Sequence, residues 1–259
     1  MIQSKEKEWF DQWYLSNAVD DFQVFKDLIH PYKVSDLKGK TVLECGCGSG
    51  GHTRFFSKYA KSVVAVDLNT SQIAKERNKQ LKNVDFLDED IMSMHLSKKF
   101  DFVVAIGVIH HTMNPKATVH NLTNHVKFGG KLILLVYSKE GNSFSETIIE
   151  PMKKHLFRYF SRKKLYLVSK FIVICINFLL YSCYLLPLNF LAYYNYATVF
   201  RKLSFDRKVL AVFDRLNAPR TFFFNLKQAK NLLDSKQFKR VIVSSYRGGV
   251  TWRISGEKL

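Results

Sequence analysis

The stretch VLECGCGSGG, residues 42–51, carries the clearest structural signal in this chain. It joins an apolar strand to an acidic residue and a glycine-rich turn, and glycine lets a backbone bend sharply and approach a ligand closely. Gly46, Gly48 and Gly51 also fit the dinucleotide pattern G-x-G-x-x-G, which is a weak signal on its own. Glu44 favours a different ligand, because a carboxylate at this junction repels a pyrophosphate and attracts a cationic centre.

This segment resembles the E/D-x-G-x-G-x-G signature of class I S-adenosylmethionine-dependent methyltransferases. Later segments extend the resemblance over residues 39 to 137. A second buried strand ends at Asp67, which the resemblance places on two ribose hydroxyls, and an acidic loop offers Asp90 to the adenine amine. The implied S-adenosylmethionine site consists of Glu44, Gly46, Gly48, Gly50, Asp67, Leu68, Asp90, Ile91 and Ile106.

The fourth strand ends in GVIHHT, residues 107–112, which is similar to the GVLHHT variant of the bacterial methyltransferase type 11 group of polysaccharide, natural-product and quinone pathways. An acceptor hydroxyl benefits from a general base, and imidazole titrates near neutral pH. His110 and His111 are therefore the catalytic candidates. The alternative is that these histidines cap the next turn or line the cofactor pocket.

Tyr137 and Arg220 are the residues expected to bind the methyl acceptor. Residues 212–220, VFDRLNAPR, resemble the D-x-x-(S)-P-R segment of the same bacterial group, and the resemblance implies that Arg220 anchors an acceptor carboxylate or phosphate. The alternative is that Arg220 is a structural residue that connects the cap to the sheet through Asp214. The group usually has a histidine six residues after the proline, where this chain has Asn225.

Alternating strands and helices predict an α/β fold with a doubly wound, Rossmann-like, seven-stranded sheet that is mostly parallel. An apolar helical insertion is expected after the fifth strand. The expected regions are an N-terminal helix with the cofactor-binding core (1–137), a basic and apolar helical cap (138–204) and the completion of the sheet (205–259). Helices are predicted at about 5–30, 51–59, 71–81, 116–127 and 226–236, with the last strands at about 240–246 and 251–256, the final one antiparallel.

Charge is very unevenly distributed along the 259 residues. Residues 1–150 contain 19 Lys/Arg and 18 Asp/Glu, a balance of +1, whereas residues 151–259 contain 21 and 4, a balance of +17. The second half is therefore expected to face an anionic partner. Residues 152–170 predict one basic amphipathic helix with Lys154, Arg158 and Arg162 on one face.

No charged residue occurs from Phe171 to Phe200. Two membrane crossings need about 40 apolar residues, and one crossing would separate strands that must pair in one sheet. The cap is thus expected to roof the active site or to dip into an anionic membrane surface, with a buried helix pair as the alternative.

Several classes of function compete on the sequence. The leading prediction is an enzyme that methylates a small-molecule, sugar or lipid-linked acceptor at oxygen. A quinone or lipid methyltransferase and a non-catalytic S-adenosylmethionine-binding protein are the alternatives. An NAD-dependent oxidoreductase does not suit Glu44, and a nucleic-acid enzyme is disfavoured because the N/D/S-P-P-Y/F loop is missing.

The four cysteines show no disulfide or ligand spacing, and no metal site is predicted. Residues 1–10 lack the apolar core of a signal peptide. The expected location is the cytoplasm, or the inner membrane surface if the cap contacts lipid.

Overall fold

A computed structural model describes residues 3–16, 18–182, 186–187, 189–191 and 193–259. The strands are β1 Thr41–Cys45, β2 Ser62–Asp67, β3 Val84–Asp88, β4 Phe100–Ile106, β5 Val126–Tyr137, β6 Phe238–Tyr246 and β7 Thr251–Lys258. The helices of the described part are α1 Gln3–Leu15, α2 Phe22–Leu28, α3 Thr53–Tyr59, α4 Ser71–Arg77, α5 Pro115–Asn124, α6 Glu150–His155, α7 Arg162–Ser182, α8 Tyr194–Arg201, α9 Phe205–Asn217 and α10 Leu226–Lys230.

The strands form one seven-stranded sheet in the order β3-β2-β1-β4-β5-β7-β6. β7 runs antiparallel to both β5 and β6, whereas the pairs among β1 to β5 are parallel. The predicted mostly parallel sheet with an antiparallel final strand is therefore confirmed. A parallel sheet needs crossover helices on its faces, and this requirement explains why strands and helices alternate in the sequence.

Both faces of the sheet are buried. Val42 and Leu43 are neighbours on β1, but they belong to different apolar clusters, because successive side chains of a strand point to opposite faces. Val103 and Val104 divide in the same way on β4. These continuous apolar runs are the sequence signal of a doubly wound sheet.

The N-terminal segment forms two helices, where the sequence predicted one helical stretch over about 5–30. α1 ends at Leu15 and α2 begins at Phe22. Asp21 caps α2, because its Oδ1 accepts a hydrogen bond of 2.9 Å from the Val24 amide. α1 packs against α7 and α9, so it joins the core region to the cap.

The predicted continuous helix over residues 152–170 is wrong. α6 ends at His155, Phe157–Tyr159 form a short 3-10 turn, and α7 begins at Arg162. The turn buries Phe157 in a cluster with Leu165 and Phe213, and the Ser161 hydroxyl accepts a bond of 3.3 Å from the Lys164 amide, as a helix cap does. Lys154, Arg158 and Arg162 therefore do not share one helix face.

α7 is the longest helix of the described part, and its buried side packs on α9. By length and composition alone, α7 is also the one helix among the described residues that could cross a membrane, with a mean hydropathy of 1.9. Only 22% of the 18-residue stretch of α7 that has this hydropathy is buried inside the protein. α8 returns to α7, since Ala197 and Phe200 form an apolar cluster with Leu180.

The ends of β1, β4 and β5 opposite the glycine-rich turn are held together by one carboxylate, Asp101. Asp101 Oδ2 accepts hydrogen bonds from the Thr41 amide (2.8 Å), the Thr41 hydroxyl (2.7 Å) and Lys127 Nζ (3.0 Å). Partial burial alone would raise the pKa of Asp101, but these donors outweigh it and lower the pKa to about 2.

Replacing Asp101 by Asn should lower the free energy of unfolding at pH 7 by about 1–2 kcal/mol. A carboxyl with a lowered folded-state pKa stabilises the fold above its ordinary pKa near 4, and this contribution disappears as the pH falls from about 4 to 2. Urea unfolding of parent and variant at pH 7 and pH 2.5 measures both effects. Asp85→Asn, an exposed acid on β3, is the control; an equal loss there would contradict the assignment to Asp101.

Candidate active site

A cavity of about 370 Å³ opens at the carboxyl ends of the parallel strands. Gly46 after β1, Asp67 at the end of β2, Asp90 after β3 and Ile106 at the end of β4 form one wall. This edge is where open α/β sheets bind their ligands, because the loops that follow the strands diverge there. Helices α1 and α9 contribute the facing walls through Trp9, Gln12, Trp13, Arg207, Leu210, Ala211 and Asp214.

Most of the sequence-predicted residues meet at this cavity. Those that line it are Gly46, Asp67, Leu68, Asp90, Ile91, Ile106, His110, His111, Tyr137 and Arg220. Glu44, Gly48 and Gly50 are not among the lining residues. They lie in or just before the glycine-rich turn and contribute to its conformation.

The glycines of the turn are required by the backbone conformation, as the sequence predicted. Gly46, Gly48 and Gly50 all have positive φ angles, of 78°, 55° and 77°, which disfavour a residue with a Cβ. A Cβ on Gly48 would lie 2.4 Å from the Trp13 ring, and one on Gly46 would lie 2.6 Å from Val108. The close approaches in this structure are thus made by protein side chains.

Glu44 is buried beneath the turn and is bound to the start of α3. Its Oε2 accepts a hydrogen bond of 2.5 Å from the Thr53 hydroxyl. Burial raises the pKa of Glu44 to about 8, although the Thr53 bond opposes the shift. The sequence predicted a carboxylate that faces the ligand; the structure places Glu44 where it fixes the angle between β1 and α3.

Asp67 faces the cavity and is oriented by the turn. Its Oδ2 accepts a hydrogen bond of 2.7 Å from the Gly48 amide, and the Thr70 hydroxyl donates to the Gly48 carbonyl at 3.1 Å. Burial raises the pKa of Asp67 to about 6 against the effect of these donors. A carboxylate held in this way suits a ribose diol, which offers two hydroxyl donors.

The third strand supplies two neighbouring acids and an apolar contact. Glu89, Asp90 and Ile91 all line the cavity. Asp90 Oδ1 accepts a hydrogen bond of 2.8 Å from the Met92 amide, which fixes the loop and leaves Oδ2 as the oxygen available to an amine. These residues fit the adenine end of the implied cofactor.

A buried polar cluster surrounds Asp214 of α9. Gln12 donates to Asp214 Oδ1 at 3.0 Å and the Tyr137 hydroxyl donates to Oδ2 at 3.1 Å. His111 Nε2 lies 3.5 Å from the same Oδ2. Burial alone would raise the pKa of Asp214, but His111 and the Gln12 hydrogen bond hold it below its usual range. Three separate parts of the chain, α1, the end of β5 and α9, thus meet at one carboxylate.

His111 has both ring nitrogens next to acceptors. Nδ1 lies 3.0 Å from the Arg220 carbonyl oxygen, which can only accept, so Nδ1 donates. Nε2 faces the Asp214 carboxylate, which is also an acceptor. Nε2 has no hydrogen-bond partner among the described residues, although the Asp214 carboxylate lies 3.5 Å away. The Nδ1 bond places His111 to position the Arg220 segment.

His110 is different. Its ring is buried against Tyr137 with 4.0 Å between ring centroids, and neither ring nitrogen has a hydrogen-bond partner among the described residues. Burial, reinforced by the neighbouring His111, lowers the pKa of His110 well below its ordinary value. His110 is therefore a neutral imidazole with an unused lone pair in the cavity wall.

Arg220 is exposed at the cavity rim, where its Nη1 lies 2.8 Å from Met113 Sδ. The alternative interpretation was a direct bond between the Arg220 side chain and Asp214. Asp214 instead accepts hydrogen bonds from Gln12 and Tyr137. Arg220 is connected to this cluster through its backbone carbonyl, which contacts His111. Asn225, which stands where a histidine is usual, caps α10 by accepting a 2.8 Å bond from the Gln228 amide.

Sequence reasoning missed the residues that close the cavity from other elements. Arg207 of α9 forms an ion pair of 2.7 Å with Asp20, and Asp20 Oδ1 also lies 3.5 Å from His52 Nε2. An ideal Cβ on Gly51 would reach within 1.7 Å of Asp20 Oδ2, so only glycine permits this contact. No local pattern predicts a pair separated by this much sequence.

A second hollow of about 580 Å³ lies beside α4 and β3, lined by Lys75, Lys79 and His95 among others. It contains none of the predicted site residues. The smaller cavity at the strand ends is the candidate site because the acids, the histidines and the glycine-rich turn converge there.

The sheet order and the position of this cavity define the class: a class I, S-adenosylmethionine-dependent methyltransferase fold. Residues 43–134 match the family described as "Methyltransferase domain".

Two curated relatives are a methyltransferase and a carboxymethyltransferase by name, and only the second name states an acceptor. "Putative methyltransferase 235L" of Invertebrate iridescent virus 6 is 32% identical over 154 residues, which are 59% of this chain and 57% of that protein. "tRNA U34 carboxymethyltransferase" of Alteromonas mediterranea is 32% identical over 126 residues, 45% of this chain and 38% of that protein. The chain thus spans less than two thirds of either relative.

Among solved structures, magnesium protoporphyrin IX methyltransferase (ChlM) from Synechocystis PCC 6803 with bound SAH has a similar fold. Its TM-score is 0.53 with 14% identity, and the match covers 100% of this chain and 96% of that one. At this identity the comparison supports the fold and says nothing about the acceptor.

Gly48 and Gly39 provide a matched test of the turn. Both have positive φ, so alanine strains the backbone at either position by about 1 kcal/mol, but a Cβ on Gly39 has no atom within 4 Å. We expect Gly48→Ala to weaken S-adenosylhomocysteine binding at least tenfold in calorimetry, because the new Cβ would displace Trp13, which lines the cavity. Gly39→Ala should bind as the parent does; an equal loss in both variants would mean that only backbone strain matters.

The affinity for S-adenosylhomocysteine should fall about tenfold between pH 7.5 and pH 5. Asp67 has a pKa raised to about 6, so at pH 5 most molecules carry a protonated Asp67 that can accept fewer hydrogen bonds from a ribose. Calorimetry across this range measures the effect. Asp67→Asn should bind weakly with little pH dependence, and a parent-like pH profile in that variant would assign the titration to another group.

Proposed function

We propose that this chain catalyses methyl transfer from S-adenosylmethionine to an oxygen of a small-molecule, sugar or lipid-linked acceptor bound beside His110. The observation that carries the proposal is the buried, neutral and unpartnered imidazole of His110 in the wall of the cavity. When bound, the cofactor supplies a methyl group on a positively charged sulfur, which is already activated for attack. The remaining tasks are alignment, exclusion of water and removal of a proton.

His110 is the better candidate for the proton acceptor. A neutral imidazole with a free nitrogen can accept the proton of an acceptor hydroxyl, whereas both nitrogens of His111 already face oxygen acceptors. The low pKa of His110 makes it a weak base that stays unprotonated at neutral pH. A weak base suffices when the electrophile is strongly activated.

Asp214 and Tyr137 position this base. Tyr137 packs on the His110 ring, and its hydroxyl is held by Asp214. The His110 carbonyl accepts a hydrogen bond of 2.8 Å from the Phe222 amide, so the segment after Arg220 fixes the backbone as well. The imidazole is thus held from both sides without losing its free nitrogens.

The cavity walls suit a mainly apolar acceptor with an anionic group. Trp9, Leu203, Leu210 and Ala211 contribute apolar surface. Arg220 stands exposed at the rim, where a guanidinium can bind a carboxylate or phosphate. These features support a small organic acid, a phosphorylated sugar or the head of a lipid as acceptor.

A quinone or lipid acceptor at a membrane surface is the second candidate. It is favoured by the large apolar side chains exposed on the cap, since a water-soluble acceptor does not require them. In that case we propose that the protein works in the cytoplasm at the inner membrane surface.

The test has two stages. Calorimetry first measures cofactor binding, and transfer of a labelled methyl group is then followed to a phenol, a hydroxylated sugar, a polyprenylated quinol and bulk tRNA. Label on tRNA would contradict a small-molecule or lipid acceptor. Cofactor binding with no labelled product, even from a total cell extract, would indicate a non-catalytic cofactor-binding protein.

With an accepted substrate, His110→Gln should lower kcat about 10² to 10³ fold and leave cofactor affinity within twofold of the parent, because glutamine fills the space but is no base. His120→Gln changes an exposed histidine on α5 and is the matched control. If His110→Gln retains full turnover, the proton leaves by another route and this assignment is wrong.

A further inference from the structure

α7 has two apolar sides, and only one of them is covered. Leu165, Val173 and Leu180 are buried, with Leu165 in a cluster with Phe213 and Leu216 of α9. The uncovered side, called here the α7 row, consists of Leu167, Phe171, Ile174, Phe178 and Tyr181. Its spacing of four, three, four and three residues places these side chains in one stripe along the helix.

The exposure of the α7 row is large. Phe171 is 67% exposed and Phe178 is 74% exposed, which is rare for side chains of this size. Of the 25 large hydrophobic residues exposed among the described residues, 15 lie between Phe144 and Val199. Exposed apolar surface concentrated in this way marks a contact with a partner or a membrane.

Charge identifies the partner. Residues 151–204 contain nine Lys/Arg and no Asp/Glu. Lys163 and Lys164 are exposed at the start of α7, Arg201 ends α8, and Lys202 follows it. A second copy of this chain would bring like charges together across the interface, whereas nucleic acid would match the charge and leave the apolar row uncovered. An anionic lipid surface matches both features.

α7 can lie on a bilayer but cannot cross it. β5 precedes α7 and β7 follows it, yet the two strands pair directly from Lys131 with Glu257 to Tyr137 with Thr251. The chain must therefore return to the same side. Only 11 residues separate the end of α7 at Ser182 from the start of α8 at Tyr194, fewer than the roughly 20 needed to cross back.

We infer that the α7 row, together with the exposed Lys163 and Lys164 at the start of α7, is a docking surface for an anionic bilayer, on which α7 lies parallel to the membrane. α9 connects this surface to the cavity, because Phe213 and Leu216 contact the α7 side while Arg207, Leu210 and Asp214 line the cavity. Docking would thus place the cavity beside the headgroup region.

Vesicle co-sedimentation with the full chain tests the docking surface. We expect binding to vesicles of phosphatidylcholine and phosphatidylglycerol at low salt, and at least tenfold weaker binding to phosphatidylcholine alone or at 0.5 M salt. Phe171→Gln/Phe178→Gln should weaken binding at least tenfold. Phe128→Gln is the matched control, since Phe128 is 87% exposed on β5, outside the cap.

Charge variants and a direct insertion measurement complete the test. Lys163→Ala/Lys164→Ala should weaken binding to anionic vesicles, and Lys61→Ala/Lys82→Ala, exposed lysines of the core region, should not. In Phe178→Trp, brominated lipids should quench the new fluorescence, whereas Phe128→Trp should show no such quenching.

Three outcomes would overturn the inference. The parent could fail to bind anionic vesicles at low salt, or the Phe171→Gln/Phe178→Gln variant could bind as tightly as the parent. The third is a stable dimer of the parent in light scattering that this variant does not form. The readouts require neither cofactor nor acceptor. Failure of docking is therefore distinguishable from failure of the proposed methyl transfer.

Discussion

The parallel pairing of β1 between β2 and β4 positions the glycine-rich turn and the strand ends that form the cavity. It brings the ends of neighbouring strands to one edge of the sheet, so that the turn after β1 lies against Asp67 at the end of β2. The amides of Gly46 and Cys47 both donate to the Val66 carbonyl, at 2.7 and 3.1 Å, which continues the ladder into the turn. The turn is thus an extension of the sheet with glycine at the positions of positive φ.

α9 is the second organising element. One of its sides packs against α7, and the other carries Arg207, Leu210 and Asp214 into the cavity. Asp214 is the carboxylate at which α1, β5 and His111 meet, and Arg207 reaches Asp20 in the loop between α1 and α2. A helix that belongs neither to the sheet nor to the glycine-rich turn therefore decides how the acceptor side of the cavity is closed.

The two histidines show why adjacency in sequence does not imply a shared role. His110 is turned against Tyr137 and keeps both nitrogens unpartnered among the described residues, while His111 is engaged by the Arg220 carbonyl and faces Asp214. Consecutive residues of a turn point in different directions, so one can serve chemistry while the other holds the backbone. Only coordinates distinguish them.

The sheet and its ligand-binding edge were predictable from the sequence, because buried parallel strands appear as unbroken apolar runs and the turn requires glycine where φ is positive. The family resemblance assigned Asp67, Asp90 and Ile106 to the cofactor, and the structure places them at or just after strand ends, beside the cavity. The tertiary structure alone decided the rest. Glu44 binds Thr53, the cap helix breaks to bury Phe157, and Asp20 meets Arg207, because each outcome depends on a partner distant in the sequence. The local sequence pattern shows which side of a helix or strand is apolar. It does not show which distant group covers that side. On α7, the α7 row remains exposed.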